Sequence, residues 1–296
     1  MFGGSGTVLM NRPIKRGCME VYNDYNSNLT NLFFCVKERP LALITELGFL
    51  PLNSRDDYDA ISRQLKCEEF DDEYLAIELE LADKYFSPLH AKAIKALLLK
   101  RAQRGNVRRA ANYYKLIRYS FSGAGKSFGG KPCNIRNFFV DIWRCSRRLE
   151  NVVIENKDFE SLLAQYDRPD AFFYCDPPYF DAESLYAVDF PKEKHEELHW
   201  ILSQCKGYIV VSYNDCPFIR SLYGDFFILA FRRNNPLSQK VGATYGELII
   251  TNYDPRPYIQ PQFSMFPAEI ENGDLVLVHE PTCGSLREIN LARREK

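Results

Sequence analysis

The stretch of this chain that most clearly suggests chemistry is Asp176-Pro177-Pro178-Tyr179. Residues 171–175 before it are apolar or aromatic and predict a short buried strand, which the prolines end because proline has no N–H to give to a sheet. Asp176 is therefore expected at the carboxyl edge of a sheet, where open α/β folds bind ligands. A carboxylate, the carbonyls of a rigid turn and an aromatic ring suit an amino group on a flat ring. The alternative is a strand-ending turn with an incidental tyrosine.

Two other acids follow predicted strands. Residues 17–23 predict a strand that ends at Asp24, and an acid at that position of a nucleotide-binding α/β unit can accept both ribose hydroxyls. Residues 151–155 predict a further strand, followed by Asp158 and Phe159. This acid and ring suit the adenine of the same nucleoside, although the acid could equally cap the helix that follows.

The chain begins with a glycine-rich turn, Phe2-Gly3-Gly4-Ser5-Gly6. Such a turn lets backbone N–H groups approach a nucleoside or a carboxylate closely, because glycine adopts conformations that other residues avoid. Glycine-rich starts are also often floppy tails. A binding role for this turn is therefore favoured only by the acids that follow it.

The net charge of −1 conceals an uneven distribution of charge along the chain. Residues 91–148 contain fifteen Lys and Arg residues against one acid, Asp141. Tyrosines and phenylalanines are interleaved with these cations, and this composition is typical of a surface that meets a phosphate backbone. The alternative is a solvated helix face.

The overall composition, 46% hydrophobic and 26% charged, is ordinary for a soluble protein. No apolar run reaches the length of a membrane span, and the N-terminus lacks a secretory pattern, so no membrane partner is expected and the cytoplasm is the expected location. Nine cysteines without a Cys-x-x-Cys pair predict reduced thiols in preference to disulfides or a zinc cluster.

The periodicity of apolar residues outlines the elements that would position these side chains. Helices are predicted over residues 26–36, 41–47, 60–65, 74–86, 91–102 and 191–205. Further strands are predicted over residues 208–212, 226–231, 247–252 and 275–279. Strands that alternate with helices predict an α/β fold with a doubly wound sheet, interrupted by a largely helical insertion.

Two motifs suggest other enzyme classes, and both are discounted. His195-Glu196-Glu197-Leu198-His199 matches the H-E-x-x-H zinc pattern, but no third ligand follows at the expected spacing, so no metal is expected. Residues 120–127 nearly match a phosphate-binding P-loop. Serine replaces the first glycine there, and the segment follows a helical stretch instead of a buried strand.

In their order around a helical insert, the glycine-rich turn, Asp24, Asp158-Phe159 and the Asp-Pro-Pro-Tyr motif resemble the Dam-type N6-adenine DNA methyltransferases. The likeness extends from Met1 to about Tyr253. It implies a Rossmann-like, S-adenosylmethionine-dependent methyltransferase sheet with an inserted, mainly helical target-recognition domain. The implied domains are a catalytic domain in two parts, residues 1–38 and 149–255, the DNA-binding insert 39–148, and a tail, 256–296, without an assigned role.

The resemblance also implies roles for single residues. It implies that S-adenosylmethionine is held by Phe2, Gly4, Ser5, Gly6, Asp24, Asp158, Phe159 and Asp176. It implies that N6 of a flipped-out adenine is methylated at Asp176, Pro177, Pro178 and Tyr179. It implies that double-stranded DNA, in a phage- or restriction-associated setting, is contacted by Arg118, Ser122, Lys126, Ser127 and Arg136.

One departure from the family pattern affects the expected fold. Family members carry a lysine-bearing segment and a central first strand before the glycine-rich turn, whereas this chain starts at Met1-Phe2, inside that motif. The resemblance therefore predicts a sheet that lacks its first strand, and it leaves open a truncated, inactive DNA-binding relative. A methyltransferase acting on another amino group, cytosine N4 or an RNA adenine, is a further alternative.

Overall fold

The computed structural model describes residues 1–48, 54–66, 73–102, 105–121, 125, 127–129, 134–181, 190–234, 244–258, 275–282 and 284–292. Contacts between residues divide the chain into two compact units. We call Met1–Gly3 together with Lys157–Lys296 the sheet unit, and Gly4–Asn156 the helical unit. Residues 1–38, predicted as one part of a catalytic domain, contribute to both units.

The helical unit combines a pair of strands with a set of helices. Strand β1 (Glu20–Asn23) pairs in parallel with β2 (Val152–Glu155), and Glu20 lies opposite Val152. The helices are α1 (Thr7–Asn11), α2 (Ser27–Glu38), α3 (Pro40–Gly48), α4 (Arg55–Gln64), α5 (Glu73–Tyr85), α6 (Pro88–Ala102), α7 (Val107–Tyr119) and α8 (Phe139–Leu149), with a 3₁₀ turn at Ile135–Phe138 before α8. The predicted strands and the five predicted helices of this region are confirmed, with shifts of a few residues at their ends.

Helix α7 lies at the centre of the core of this unit, where it packs against α2, α3 and α4. Its Val107, Ala110 and Ala111 are fully buried. Asn31 on α2 accepts from the backbone N–H of Asn106 (3.0 Å) and donates to its carbonyl (2.9 Å), which satisfies backbone groups where α7 begins. No bounds are predicted for α7 or α8 from the sequence, although apolar residues recur at helical spacing in both.

The sheet unit contains a five-stranded sheet in the order β3 (Phe172–Cys175), β4 (Tyr208–Asn214), β6 (Thr244–Thr251), β5 (Phe227–Asn234), β7 (Val276–His279). Strands β3 and β4 are parallel, whereas the pairs β4–β6, β5–β6 and β5–β7 are antiparallel. The helices are α9 (Phe159–Tyr166), α10 (Lys192–Ser203), α11 (Pro217–Leu222) and α12 (Leu286–Ala292), with a 3₁₀ turn at Arg256–Tyr258.

This sheet is mixed, which differs from a doubly wound sheet of parallel strands. Strands β5 and β6 follow each other along the chain and pair as antiparallel neighbours, an arrangement that needs no crossover helix. The connection from β3 to β4 does carry a helix, α10, whose Leu198 and Leu202 are fully buried in the core of the unit. The predicted strands and the helix over residues 191–205 are confirmed in position.

None of the described helices is long and apolar enough to cross a membrane.

An ion pair is nearly buried inside the helical unit. Arg148 on α8 donates from Nη1 to Glu20 Oε2 (2.8 Å) and from Nη2 to Glu20 Oε1 (2.9 Å), and Nη2 also donates to the Leu9 carbonyl (2.7 Å). The two charged side chains are 13% and 9% exposed. One arginine therefore connects α8, β1 and the short helix α1.

Replacing Arg148 by methionine should lower the free energy of unfolding by about 3–5 kcal/mol, because Glu20 would stay buried without its counter-charge. Urea denaturation followed by circular dichroism measures the change. Arg144→Met on the same helix is the matched control, since Arg144 pairs with Asp141 in solvent and such pairs contribute about 0–1 kcal/mol. Equal losses in the two variants would contradict this role of Arg148.

Candidate functional site

Asp176 follows β3 directly, as the sequence predicts. The parallel register sets Cys175 beside Val211, so that Asp176 continues the strand next to Ser212 of β4. The Ser212 hydroxyl lies 2.8 Å from Asp176 Oδ1 and donates to it. The Tyr174 hydroxyl lies 3.3 Å from the same serine oxygen and can donate to it in turn. One oxygen of the Asp176 carboxylate is thereby fixed by the strand pairing.

The second oxygen of Asp176, Oδ2, accepts no hydrogen bond from the described part of the chain. Although this residue reaches solvent, desolvation by the surrounding protein raises the pKa of its carboxyl group, and the negative charge of Glu247 adds to the rise. The hydrogen bond from Ser212 and the positive charges of Met1 and Arg233 act in the opposite direction. Asp176 is thus a carboxylate of raised basicity with one open acceptor oxygen.

The residues after Asp176 form a turn held at several points. Pro177 and Pro178 are buried, and the Tyr179 hydroxyl lies 3.4 Å from Glu247 Oε1. Asn214 donates from its side chain to the Phe180 carbonyl (3.0 Å). Asp181 closes the turn at φ 62°, a left-handed conformation that aspartate tolerates better than most residues.

Glu247 is a buried carboxylate on β6 beside this turn. It lies opposite Asn214 of β4 and is 4% exposed. Nη1 of Arg233 is 3.3 Å from both of its carboxylate oxygens. The Arg233 side chain is itself 59% exposed, so water screens the counter-charge that it provides.

Gly4 of the glycine-rich turn contacts Asp24 within the helical unit. The backbone N–H of Gly4 donates to Asp24 Oδ2 (2.9 Å), and that of Asn26 donates to Oδ1 (2.8 Å). The Tyr22 hydroxyl donates to the Gly4 carbonyl (2.7 Å). An ionised carboxylate has about four acceptor positions, so each oxygen of Asp24 keeps room for a further donor.

At Gly6 both the backbone conformation and the available space require glycine. Its φ of 70° lies in the left-handed region, and a Cβ at Gly6 would stand 3.0 Å from the ring of Phe33. Gly4 also has positive φ, but a Cβ there would meet nothing within 4 Å. Ser5 is exposed, and its hydroxyl bonds to that of Thr7. The backbone of Gly4 therefore borders open space next to Asp24.

The predicted adenine-side residues lie in the sheet unit, together with Phe2. Asp158 caps α9: its Oδ1 accepts from the backbone N–H of Ser161 (2.7 Å), and this hydrogen bond lowers the pKa of its carboxyl group. Phe159 is buried, with its ring 6.0 Å from that of Phe2 and 6.1 Å from that of Phe190. The capping interpretation of Asp158 is confirmed, and a contact with the cofactor stays a prediction.

Three of the predicted DNA contacts are described, and all three are exposed. The Arg118 guanidinium stacks on the Phe138 ring at 3.6 Å from its centroid, and Arg136 lies in the same 3₁₀ turn as that ring. Ser127 lies opposite Phe121, and the backbone N–H of Phe121 donates to the carbonyl of Ser127 (2.8 Å). The other two predicted contacts, Ser122 and Lys126, lie outside the described residues, as does part of the near-match to a P-loop.

Other members of the basic block are buried or bound to neighbouring elements of the same unit, which corrects the interpretation of the block as one surface. Lys115 is 3% exposed, and burial lowers the pKa of its ammonium group. Arg148 pairs with Glu20, and Arg109 donates to the side chains of Asn28 and Ser27 on α2. The α7 and α8 cations thus serve partly to hold the core of the helical unit.

The two histidines of the H-E-x-x-H pattern have other contacts. His195 is fully buried, and its Nδ1 lies 2.8 Å from the Tyr213 hydroxyl. His199 Nε2 lies 2.8 Å from Asp225 Oδ1. Within the described residues, no group of three or more His, Cys, Asp and Glu side chains is arranged to hold a metal ion.

No role in the site was predicted from the sequence for four neighbours of the Asp176 turn: Ser212, Asn214, Arg233 and Glu247. Ser212 and Glu247 each stand at one end of a predicted strand that is otherwise mainly apolar. A polar residue in such a place is the signal that could have singled them out. Residues 4–6 of the glycine-rich turn and Asp24 belong to the helical unit, whereas Phe2, Gly3 and the Asp176 turn belong to the sheet unit.

Comparison with known proteins identifies the family of this chain. No curated protein matches its sequence. A family model described as D12 class N6 adenine-specific DNA methyltransferase matches residues 1–234, which is most of the chain, and it confirms the resemblance to the Dam-type enzymes. The chain therefore belongs to the D12 class N6 adenine-specific DNA methyltransferase family.

Proposed function

We propose that this DNA adenine-N6 methyltransferase transfers the methyl group of S-adenosylmethionine to an adenine flipped out of double-stranded DNA. The observation that carries the proposal is the arrangement at Asp176, where Ser212 fixes Oδ1 and Oδ2 is left open to a donor. The acceptor of raised basicity stands in the same turn as a half-buried aromatic ring, Tyr179. An exocyclic amino group on a planar base matches both features.

The chemistry of the amino group explains why a carboxylate is needed there. The lone pair of adenine N6 is delocalised into the ring, which makes the nitrogen a poor nucleophile. Asp176 Oδ2 and the Pro177 carbonyl accept its two hydrogens and favour a tetrahedral nitrogen, whose lone pair then points out of the ring plane. As the new C–N bond forms, the bond between sulfur and the methyl group would break and leave its electron pair on sulfur, while one N6 proton leaves through Asp176 to solvent. Tyr179 stacks on the extruded base, since a base within a duplex cannot reach a protein pocket.

Asp24 and the glycine-rich turn fit the cofactor. When bound, S-adenosylmethionine supplies a methyl group on a positively charged sulfur. Asp24 retains acceptor positions for the two ribose hydroxyls, and Gly4 offers its backbone beside open space. Phe2, Ser5, Gly6, Asp158 and Phe159 are assigned to the same function by resemblance alone.

The proposed function includes the division of the chain into a catalytic and a target-recognition domain. Residues 1–38 and 149–255 form the catalytic domain, with a Rossmann-like sheet, and residues 39–148 form the target-recognition domain. The exposed cations Arg118 and Arg136, with an exposed aromatic ring at Phe121, support a DNA-facing surface in that domain.

Tritiated methyl transfer from S-adenosylmethionine to unmethylated bacterial DNA tests the proposed function. Digestion of the DNA to deoxynucleosides should place the label in N6-methyl-2′-deoxyadenosine. Label in N4-methyl-2′-deoxycytidine, or label only in RNA substrates, would indicate the wrong amino group. DNA binding without any transfer would indicate an inactive relative.

Replacing Asp24 by alanine should weaken S-adenosylmethionine binding at least tenfold, about the contribution of one hydrogen bond to a charged group. Isothermal titration calorimetry measures the affinity. Asp141→Ala is the matched control, because this acid is exposed on α8 of the same unit. Unchanged affinity in a folded Asp24→Ala protein would remove Asp24 from the cofactor site.

Replacing Asp176 by alanine should lower kcat by about 100-fold or more, because the N6 hydrogens lose their acceptor, and should leave DNA affinity nearly unchanged. Single-turnover methyl transfer and fluorescence anisotropy measure the two quantities. Asp254→Ala, which removes an exposed carboxylate from the same unit, is the control and should retain full activity.

Replacing Arg118 or Arg136 by alanine should weaken DNA binding in a salt-dependent way. Each lost phosphate contact should reduce the slope of log K against log salt concentration by about 0.9. Anisotropy titrations at several salt concentrations measure the slope. Arg256→Ala, in the sheet unit, is the control, since Asp254 and Glu280 already pair with that arginine. Unchanged affinity at low salt would exclude both residues from the DNA surface.

A further inference from the structure

The polar face of the sheet beside Asp176 carries a second carboxylate. Strand pairing sets Glu247 of β6 opposite Asn214 of β4, and Ser212 stands two residues before Asn214 on the same face. After Glu247, β6 continues with the apolar Leu248, Ile249 and Ile250. A buried carboxylate with one largely exposed counter-ion costs stability, and a well-packed apolar residue would avoid that cost. The presence of a buried glutamate at this position is therefore better explained by a function than by stability.

We propose that Glu247 is a positioning residue of the adenine site, which orients Tyr179 through its hydroxyl and strengthens Asp176 as a hydrogen-bond acceptor through its charge. This inference rests on the proposed function and deepens it. Glu247 touches neither reacting atom in this mechanism. It acts through the two residues that receive the base.

The contact with Tyr179 supplies the orienting part of this role. Tyr179 follows two buried prolines, which hold its backbone, while its ring is only half-buried. The Tyr213 ring lies 6.3 Å away, so aromatic contact on that side is loose. The hydroxyl bond to Glu247 Oε1 (3.4 Å) provides a second point of attachment at the far end of the ring. A ring held at both ends loses less conformational freedom when a base stacks on it.

The charge of Glu247 supplies the other part. Several titratable or charged groups face the Asp176 carboxylate from β3, the N-terminus, β5 and β6. They are Tyr174, Cys175, Met1, Arg233, Tyr245 and Glu247. Among the charged groups that influence the pKa of Asp176, Glu247 contributes negative charge, whereas Met1 and Arg233 contribute positive charge.

The sign of this effect on Asp176 follows from charge repulsion. After desolvation, the negative charge of Glu247 is a further cause that raises the pKa of Asp176, and a more basic carboxylate accepts hydrogen bonds more strongly. Arg233 and Met1 oppose the rise. Activity requires ionised Asp176, so it should fall as the pH drops through this raised pKa. Removing the charge of Glu247 should lower that pKa and move the loss of activity to lower pH.

Two conservative variants separate the two parts of the role. Glu247→Gln keeps an oxygen that can accept from the Tyr179 hydroxyl but removes the charge, whereas Tyr179→Phe removes the hydroxyl and keeps the charge. Glu247→Gln should shift the acid limb of the kcat profile to lower pH. It should also lower kcat at neutral pH by about three- to tenfold, because a less basic Asp176 forms weaker hydrogen bonds to N6.

Tyr179→Phe should leave the acid limb where it is, raise KM for DNA, and reduce the fluorescence change of a 2-aminopurine placed at the target base. Arg233→Gln should shift the acid limb in the opposite direction, to higher pH. Glu288→Gln makes the same chemical change on the exposed face of α12 and should shift nothing. An acid limb that is unmoved in folded Glu247→Gln protein would overturn the inference.

A measurement without catalysis keeps this inference distinct from the proposed function. Carbon-13 NMR of the aspartate carboxyl groups, with Asp176 assigned by difference from Asp176→Asn, should give a lower Asp176 pKa in Glu247→Gln than in the unaltered protein. That result without any methyl transfer would refute the proposed function and retain the coupling of the two carboxylates. An identical Asp176 pKa in both proteins would refute the coupling, whatever the activity.

Discussion

The hydrogen bond from Ser212 to Asp176 is the interaction on which the candidate site depends. It exists because β3 and β4 pair in parallel in one register, which brings the residue that ends β3 beside a hydroxyl on its neighbour. A shift of one residue would turn Ser212 to the opposite face of the sheet and leave the carboxylate without this donor. The bond occupies one oxygen and orients the other.

Two carboxylates, Asp176 and Glu247, influence each other near this bond. The Arg233 guanidinium that pairs with Glu247 is largely exposed. The ion pair of the helical unit differs, because Arg148 and Glu20 are both nearly buried and two nitrogens of Arg148 donate to the Glu20 carboxylate. An ion pair with two hydrogen bonds between its partners connects the elements that carry them, whereas a desolvated carboxylate beside a second negative charge stays basic enough to bind a donor.

The basic block shows that the number of cations in a segment does not tell how many of them lie on its surface. Fifteen cations in one segment predict contact with nucleic acid, yet Lys115 and Arg148 face inward. Some cations of helices α7 and α8 face α2 or β1, where they bond to acids, amides, hydroxyls and carbonyls. Arg118 and Arg136 remain outside, with one of them stacked on Phe138. The positively charged surface of this segment is therefore smaller than its number of Lys and Arg residues suggests.

The sequence by itself determined the family, the positions of most strands and helices, and the motif residues at the strand ends, because apolar periodicity and proline act locally. It also raised helix capping by Asp158 as an alternative, since capping depends on residues three positions apart. Only the tertiary structure decided that the sheet of β3 to β7 is mixed, and that Ser212, Arg233 and Glu247 surround the Asp176 turn. These residues are between 36 and 71 positions away from Asp176 along the chain. Strand pairing brings them together, and no local pattern encodes which strands pair.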